Sequence, residues 1–270
     1  GNDILYDESQ IEQGRNFNNK VWNAFRLVTG WNVDEAAQQP DAAAVAVKWF
    51  DNKLSQVIET VEDHFSKFRI SDALMAIYKL FWDDFCAWYL EAVKPAYGAG
   101  IDKNTYEATI GFFDALLKMI HPIMPFITEE LWQNMAERKA GETIMNQRYP
   151  QAKPYDAEFI AAFEMACEAV AGVRNLRQSK NLSPRESLDL KIKGAFPAEV
   201  LPVVVKLANV TVGEAEGDMS TAQRFMVRTV EMFVPMEGLI NVEEEIKKLE
   251  ADLAYYQKFL ASVRGKLSNE

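Results

Sequence analysis

Residues 73–94 read ALMAIYKLFWDDFCAWYLEAVK, an apolar and aromatic run interrupted by two adjacent acids and followed by Pro95 and Gly98. The run begins near Ser71. Phe81, Trp82, Phe85, Trp88 and Tyr89 recur at spacings of three and four, which gathers them on one side of a helix. An aromatic stripe at that spacing reads as a core face; a row of platforms for stacked bases is the alternative. Asp83 and Asp84 invite an acid–base pair, but neighbouring helical residues point about 100° apart. Both therefore read as surface charges. Pro95 and Gly98 end the helix, the first because it has no N–H to donate and the second because it accepts a left-handed backbone.

Three more long helices flank this one. From Glu8 to about Thr29, the apolar set Ile11, Val21, Phe25 and Val28 has helical spacing, with Gly30 as the stop and Trp22 and Phe25 read as core. Asp41, after Pro40, is the candidate N-cap of a second helix that runs to about His64, with Val45, Trp49, Ile58 and Val61 inward. A fourth spans Thr105 to His121, where Pro122 forces the preceding residue out of helical geometry. Four amphipathic helices joined by short Gly/Pro turns predict an antiparallel bundle. HPIMPFITEELW (121–132) then breaks and restarts the chain, with Thr128 as a cap and Glu129 and Glu130 where the helix dipole favours acids.

Beyond NQRYPQAKPY (146–155) the pattern changes. A helix from Asp156 to about Gln178 leads to SLDLKIKG (187–194), where Leu188, Leu190 and Ile192 alternate as in a half-buried strand. A helix is expected over Ala198–Leu207, although Pro202 weakens it unless it falls in the first turn, and strand-like segments follow at Val210–Gly213 and Arg224–Val234. Near the end, Ile246, Leu249, Leu253, Tyr256, Leu260, Val263 and Leu267 form a heptad seam behind a capping-box pair, Asn241 and Glu244. One amphipathic helix cannot bury such a seam alone, so it is expected to fold back on the body of the protein, to self-associate, or to pair with a partner segment. The fold class is mainly α: a helical bundle over 1–148, a small α+β unit over 149–240, and the first helix of a coiled coil over 241–270.

Composition narrows the function classes. The 270 residues are 49% hydrophobic, enough for a full core, and carry a net charge of −11. Such a chain does not coat nucleic acid by bulk electrostatics, although VRNLRQSKNLSPRESLDLKIK (173–193) concentrates Arg174, Arg177, Lys180, Arg185, Lys191 and Lys193. No apolar run suits a membrane span and GNDILYDESQ lacks the features of a signal peptide, so the expected location is cytoplasmic, with no membrane contact. Cys86 and Cys167 read as free thiols, and with His64 and His121 they show no ligand spacing, so no metal is expected. Phosphate-loop and nucleophile-elbow motifs are absent, and no catalytic residue stands out.

Three segments then carry a resemblance. RNFNNKVWNAFRLV (15–28), FWDDFCAWYLEAVKP (81–95) and HPIMPFITEELW (121–132), in this order, resemble the region after the catalytic core and the anticodon-binding bundle of class I aminoacyl-tRNA synthetases of the valyl, isoleucyl and leucyl group. The likeness covers residues 1 to about 145. VRNLRQSKNLSP (173–184), LANV (207–210) and the stretch from Val234 to Glu270 are similar to the valyl type. An isoleucyl-type zinc tail would need cysteines, and none follows Cys167. The ATP-positioning signatures HIGH and KMSKS are missing, and RQSKNLS (177–183) lacks the Met and the following Gly-Asn.

The resemblance implies a tRNA-binding, anticodon-recognising part of an enzyme that joins valine to tRNA(Val). Its catalytic and editing domains, with ATP and Mg, would lie outside these residues, and no cofactor is expected here. It also implies roles for a polar face on the first helix: Asn16, Lys20 and Asn23 at i, i+4, i+7, flanked by Arg15, Asn19 and Arg26. Arg and Lys would contact phosphates and Asn 2′-hydroxyls, or the same residues would brace the junction with the catalytic part. Arg174, Arg177 and Lys180 form a candidate phosphate grip. Trp31, Asn32, Lys67, Phe68 and Arg69 are candidates for reading bases, and Lys247, Lys248, Lys258, Arg264 and Lys266 for the tRNA corner. The competing reading is a helical scaffold that docks a partner protein through its heptad seam.

Overall fold

The computed structural model describes residues 8–236, 253–260 and 263–264. These divide into two compact units. One holds the residues up to Val170 together with Pro197–Ala208; the other holds Ala171–Phe196 and the residues from Asn209 onward. The described residues are mainly helical, with a four-stranded sheet and a separate two-residue strand pairing.

In the first unit, α1 spans Glu8–Thr29 and α2 spans Asp41–Ser66. Asp41 is not the cap expected of it. Pro40 occupies that position with an extended backbone and Asp41 lies inside the first turn, where the dipole favours its charge. The third helix runs unbroken as α3 (Ile70–Lys79), a π-helical segment (Leu80–Tyr89) and α4 (Leu90–Val93). Next, α5 (Lys103–Ile120) is capped by Asp102, whose Oδ1 accepts from the Thr105 N–H at 2.8 Å. Finally, α6 (Pro125–Met135) starts on a proline, whose fixed φ and missing N–H suit the first turn. That earlier start puts Thr128 inside the helix. It is no cap: its buried hydroxyl donates to the Met124 carbonyl at 2.8 Å and lies 2.7 Å from His121 Nδ1.

The two ends of this bundle are identifiable from cross-contacts. At one, β1 (Val33–Asp34) pairs in parallel with β2 (Ile101–Asp102), and the Ile101 N–H donates to the Asn32 carbonyl at 2.8 Å. Gly100 is required here, since a Cβ would lie 2.9 Å from Asp34 Cβ. At the other end the starts of α1 and α3 and the α5–α6 corner come together.

Aromatic rings fill the centre. Phe50 of α2 contacts Phe85, Tyr89 and Phe112 at ring-centre distances of 5.2, 5.0 and 5.0 Å. Phe81, Phe85 and Tyr89 are fully buried, and the Tyr89 hydroxyl is 2.7 Å from Thr109 Oγ1. These three rings of the stripe are core, while Trp82 and Trp88 are half-buried. Cys86 is buried beside it, and burial pushes its thiol up to about 12. Asp84 is not the plain surface charge expected: it is half-buried, and burial raises its carboxyl to about 6 against the pull of Lys53.

The first part of α7 (Ala157–Ser179) belongs with the bundle because Phe163 stacks on Trp49 at 3.9 Å, nearly coplanar. The 3₁₀ turn Ala198–Val200 and α8 (Leu201–Ala208) join it too, where Lys206 Nζ donates to the Lys94 carbonyl at 3.0 Å. In the second unit, β3 (Leu188–Lys193), β4 (Val210–Glu214), β5 (Gln223–Val227) and β6 (Val230–Val234) form a mixed sheet in the order β4-β3-β6-β5. The strand-like stretch Arg224–Val234 is really a hairpin, turned at Arg228 with φ +52°. Of the heptad seam, Leu253, Tyr256, Leu260 and Val263 are helical and exposed. Asn241, Glu244, Ile246, Leu249 and Leu267 lie outside the described residues.

Two outcomes are expected. Phe163→Ala should cost about 3–5 kcal/mol in urea unfolding and lower amide protection in α2, because it empties the seat against Trp49. Asp84 has a folded-state pKa above its unfolded value, so ionising it opposes folding as pH rises from about 4 toward 6. Asp84→Asn should therefore stabilise the chain by about 1–2 kcal/mol at pH 7.5, with the gain vanishing below pH 4 in paired thermal melts.

Candidate nucleic-acid interface

The inward side of α1 is set by Phe17, Val21, Ala24 and Val28, all buried. Residues about half a turn away must face out. Arg15, Asn16, Asn19, Asn23 and Arg26 do so, and each is exposed. Arg15 Nη2 donates to Glu12 Oε1 at 3.0 Å, but both side chains are mostly in solvent, so the pair holds the arginine only weakly. Lys20 is half-buried, its ammonium 5.2 Å from the centre of the Trp82 ring.

Two apolar residues of α1 leave the core expected for them. Ile11 is exposed, and so is Trp22, at 42%. Trp22 lies three residues after Asn19 and four before Arg26, so it shares their outward arc instead of that of Val21. The signal was its phase relative to the polar residues; its apolar character pointed the other way. The outcome is an outward strip of Arg15, Asn19, Trp22 and Arg26 beside one of Asn16, Lys20 and Asn23. Such a surface can bond phosphates and 2′-hydroxyls and stack one unpaired base.

The second basic group lies in the second unit and divides. Arg174 is exposed and Lys180 half-buried. Arg177 is only 5% exposed: Nη1 donates to the Ser183 carbonyl at 2.7 Å and Nη2 to the Asn209 carbonyl at 3.0 Å. Asn209, in a left-handed backbone (φ +52°), completes the knot by donating from Nδ2 to the Pro184 and Glu186 carbonyls. The expected three-residue phosphate grip is corrected accordingly. Arg177 is a staple between the end of α7 and the entries to β3 and β4, because its side chain is buried and both terminal nitrogens already donate to backbone carbonyls.

The base-reading candidates also separate. Trp31 and Asn32 lie at the bundle end tied by β1 and β2, where Gln39 Nε2 also donates to Thr105 Oγ1 at 3.0 Å. Lys67, Phe68 and Arg69 form the turn between α2 and α3, at the other end. Lys67 is paired with Asp63 at 2.6 Å, and Phe68 has φ +57° and is 89% exposed. Between the two groups stands α2, whose 26 residues rise about 1.5 Å each, roughly 39 Å in all. One RNA loop cannot meet both. Lys258 and Arg264 fall in helical residues, while Lys247, Lys248 and Lys266 are outside the described residues.

Among the described residues no cluster of three or more His, Cys, Asp or Glu side chains is placed to hold a metal ion. No described helix is long and apolar enough to cross a membrane.

A family model described as the anticodon-binding domain of tRNA ligase matches residues 47–192, more than half of the chain. The chain belongs to that family. Curated relatives extend the match to its whole length. It is 52% identical over 271 residues to the valine–tRNA ligase of Parabacteroides distasonis and 52% identical over 271 residues to that of Porphyromonas gingivalis. It is 43% identical over 273 residues to that of Christiangramia forsetii. Each alignment covers 100% of this chain and 31% of the relative, so the chain spans about a third of the length of the ligases it matches. Within this anticodon-binding family frame, the matched range runs from within α2 through most of β3 and so includes both Phe68 and Arg177; α1 and Trp31 precede it.

Substitutions should separate the two arginines. Arg177→Ala should destabilise the chain by about 2–3 kcal/mol by orphaning two carbonyls, with a lower melting temperature. Arg174→Ala, at an exposed side chain, should lower that temperature less than Arg177→Ala does and weaken RNA binding more.

Proposed function

We infer that the chain is the tRNA-binding, anticodon-recognising part of a valine–tRNA ligase. Its partner is tRNA(Val); the catalytic domain of the same enzyme, where ATP and Mg serve to attach valine, and its editing domain lie outside these residues. The observation that carries this reading is the alignment of the entire chain with valine–tRNA ligases, together with the anticodon-binding family match over its centre. A cytoplasmic location goes with it. The scaffold reading has no such support.

The proposed contacts follow the exposed chemistry. Arg15, Lys20 and Arg26 pair with phosphates, Asn16, Asn19 and Asn23 bond 2′-hydroxyls, and Trp22 offers a stacking face. Arg174 and Lys180 add a second phosphate contact on the other unit. Base reading is assigned to the end that carries Trp31 and Asn32, where Tyr97 is fully exposed near Lys94 and Lys103. The net charge of −11 fits a protein that reads RNA through local patches, since acidic surface elsewhere repels indiscriminate polyanions.

A low-salt titration with valine tRNA, the same tRNA with a swapped anticodon, and an unrelated duplex RNA of equal length tests this. The expected result is a preference for the valine anticodon of about ten-fold, roughly 1.4 kcal/mol, reduced by Trp31→Ala. Equal binding to all three RNAs overturns the reading.

A further inference from the structure

One face of the four-stranded sheet is packed against α7, so closely that a Cβ on Gly172 would run into the Phe225 ring. Side chains alternate across a strand, so Arg224 and Met226, on either side of Phe225, belong to the opposite face. The pairing register completes that face: Phe233 of β6 lies between Lys191 of β3 and Arg224 of β5, and Glu231 lies opposite Lys193. The loop between β4 and β5 leaves one edge of the sheet and returns at the other. Between loop and sheet is a cavity of about 470 Å³, with Phe233 and Met219 as apolar walls and Lys193, Arg224 and Glu231 around them.

The charges of this face are unevenly matched. Glu231 accepts from Arg224 Nη1 at 3.1 Å on one oxygen and from Lys193 Nζ at 3.2 Å on the other. Asp218, which also lines the cavity, accepts from the Ser220 N–H and hydroxyl, and Asp189, farther along the face, accepts from Thr211. Beside the cavity the Lys191 ammonium lies across Gly213, where a Cβ would come within 3.0 Å of it, and among the described residues it meets no acceptor. Lys191, Lys193 and Arg224 therefore keep most of their N–H donors unused. Anionic oxygens answer such donors, and the guanidinium fork matches phosphate in particular. A flat ring answers Phe233 and Met219, since any base can stack on an aromatic side chain. A nucleotide carries both groups, and a base paired inside a duplex does not offer its ring.

We propose that this cavity binds a nucleotide, with its phosphate held by Arg224 and Lys193, Lys191 beside them, and its base lodged against Phe233 and Met219. Glu231 fixes the two cations at the mouth and competes with the phosphate for them. A free mononucleotide and an unpaired residue of a bound RNA share this chemistry. The site lies within the second unit, on residues that the RNA contacts named above do not use.

Photoaffinity labelling of the full-length polypeptide with an azido derivative of AMP tests the proposal, with labelled peptides mapped by mass spectrometry. The expected label falls between residues 215 and 233, is displaced by AMP and not by adenosine, and drops roughly ten-fold in Lys193→Gln/Arg224→Gln. Glu231→Gln guards against a trivial loss of fold, because removing the competing carboxylate should raise the labelling. No label in that stretch, equal displacement by adenosine and AMP, or a fall in Glu231→Gln overturns the proposal. Added tRNA that abolishes the label identifies RNA as the source of the nucleotide, and a label that persists identifies a free mononucleotide. The first readout needs no RNA, so it can fail or succeed independently of the anticodon titration.

Discussion

The packing of Phe50 against Phe85, Tyr89 and Phe112 is the contact on which the first unit depends. It joins α2, the π-helical segment and α5 at one point, with Phe81 and Phe113 closing the cluster at 6.1 Å. Aromatic rings suit this place because each buries a large apolar area and pairs with its neighbours edge-on or offset. The polar groups caught inside are matched locally, Tyr89 with Thr109 and Thr109 with the Thr105 carbonyl. With the centre closed by its own side chains, binding is left to the outward arcs and the two ends.

Those ends differ in kind. At one, backbone pairing and small polar residues present Asn32 and Tyr97 to solvent; at the other, large apolar side chains stand exposed around a groove. An exposed apolar patch with a pocket beside it is a mark of association, whereas scattered apolar residues are ordinary surface. Polarity along the axis of the bundle, more than any single side chain, sets the two ends apart.

The long helices were legible because each carries an uninterrupted period and a proline or glycine at its end: α1, α2, the Ile70–Val93 helix and α5 all fall close to their expected bounds. What escaped had no local signal. Arg228 makes a hairpin turn without glycine, so β5 and β6 read as one strand. Trp49 and Phe163 are more than a hundred positions apart, and their stacking, with Lys48 over the Phe159 ring and the Lys53–Glu164 pair, ties the first part of α7 to the bundle. At the interface, the exposed polar residues of α1 were readable from phase. Trp22 and Arg177 were not, since one was judged by being apolar and the other by being charged, and burial followed neither rule.

The two-residue pairing of β1 with β2 bears on how the chain folds. It joins Val33 to Ile101 in parallel across a loop that contains the whole of α2, α3 and α4. Closing so long a loop costs entropy that two ladder positions cannot offset, so the pairing can form only after the enclosed helices have collapsed and brought its ends together. The bundle end assigned to base reading is then a late product of folding, and it opens first when the chain begins to unfold.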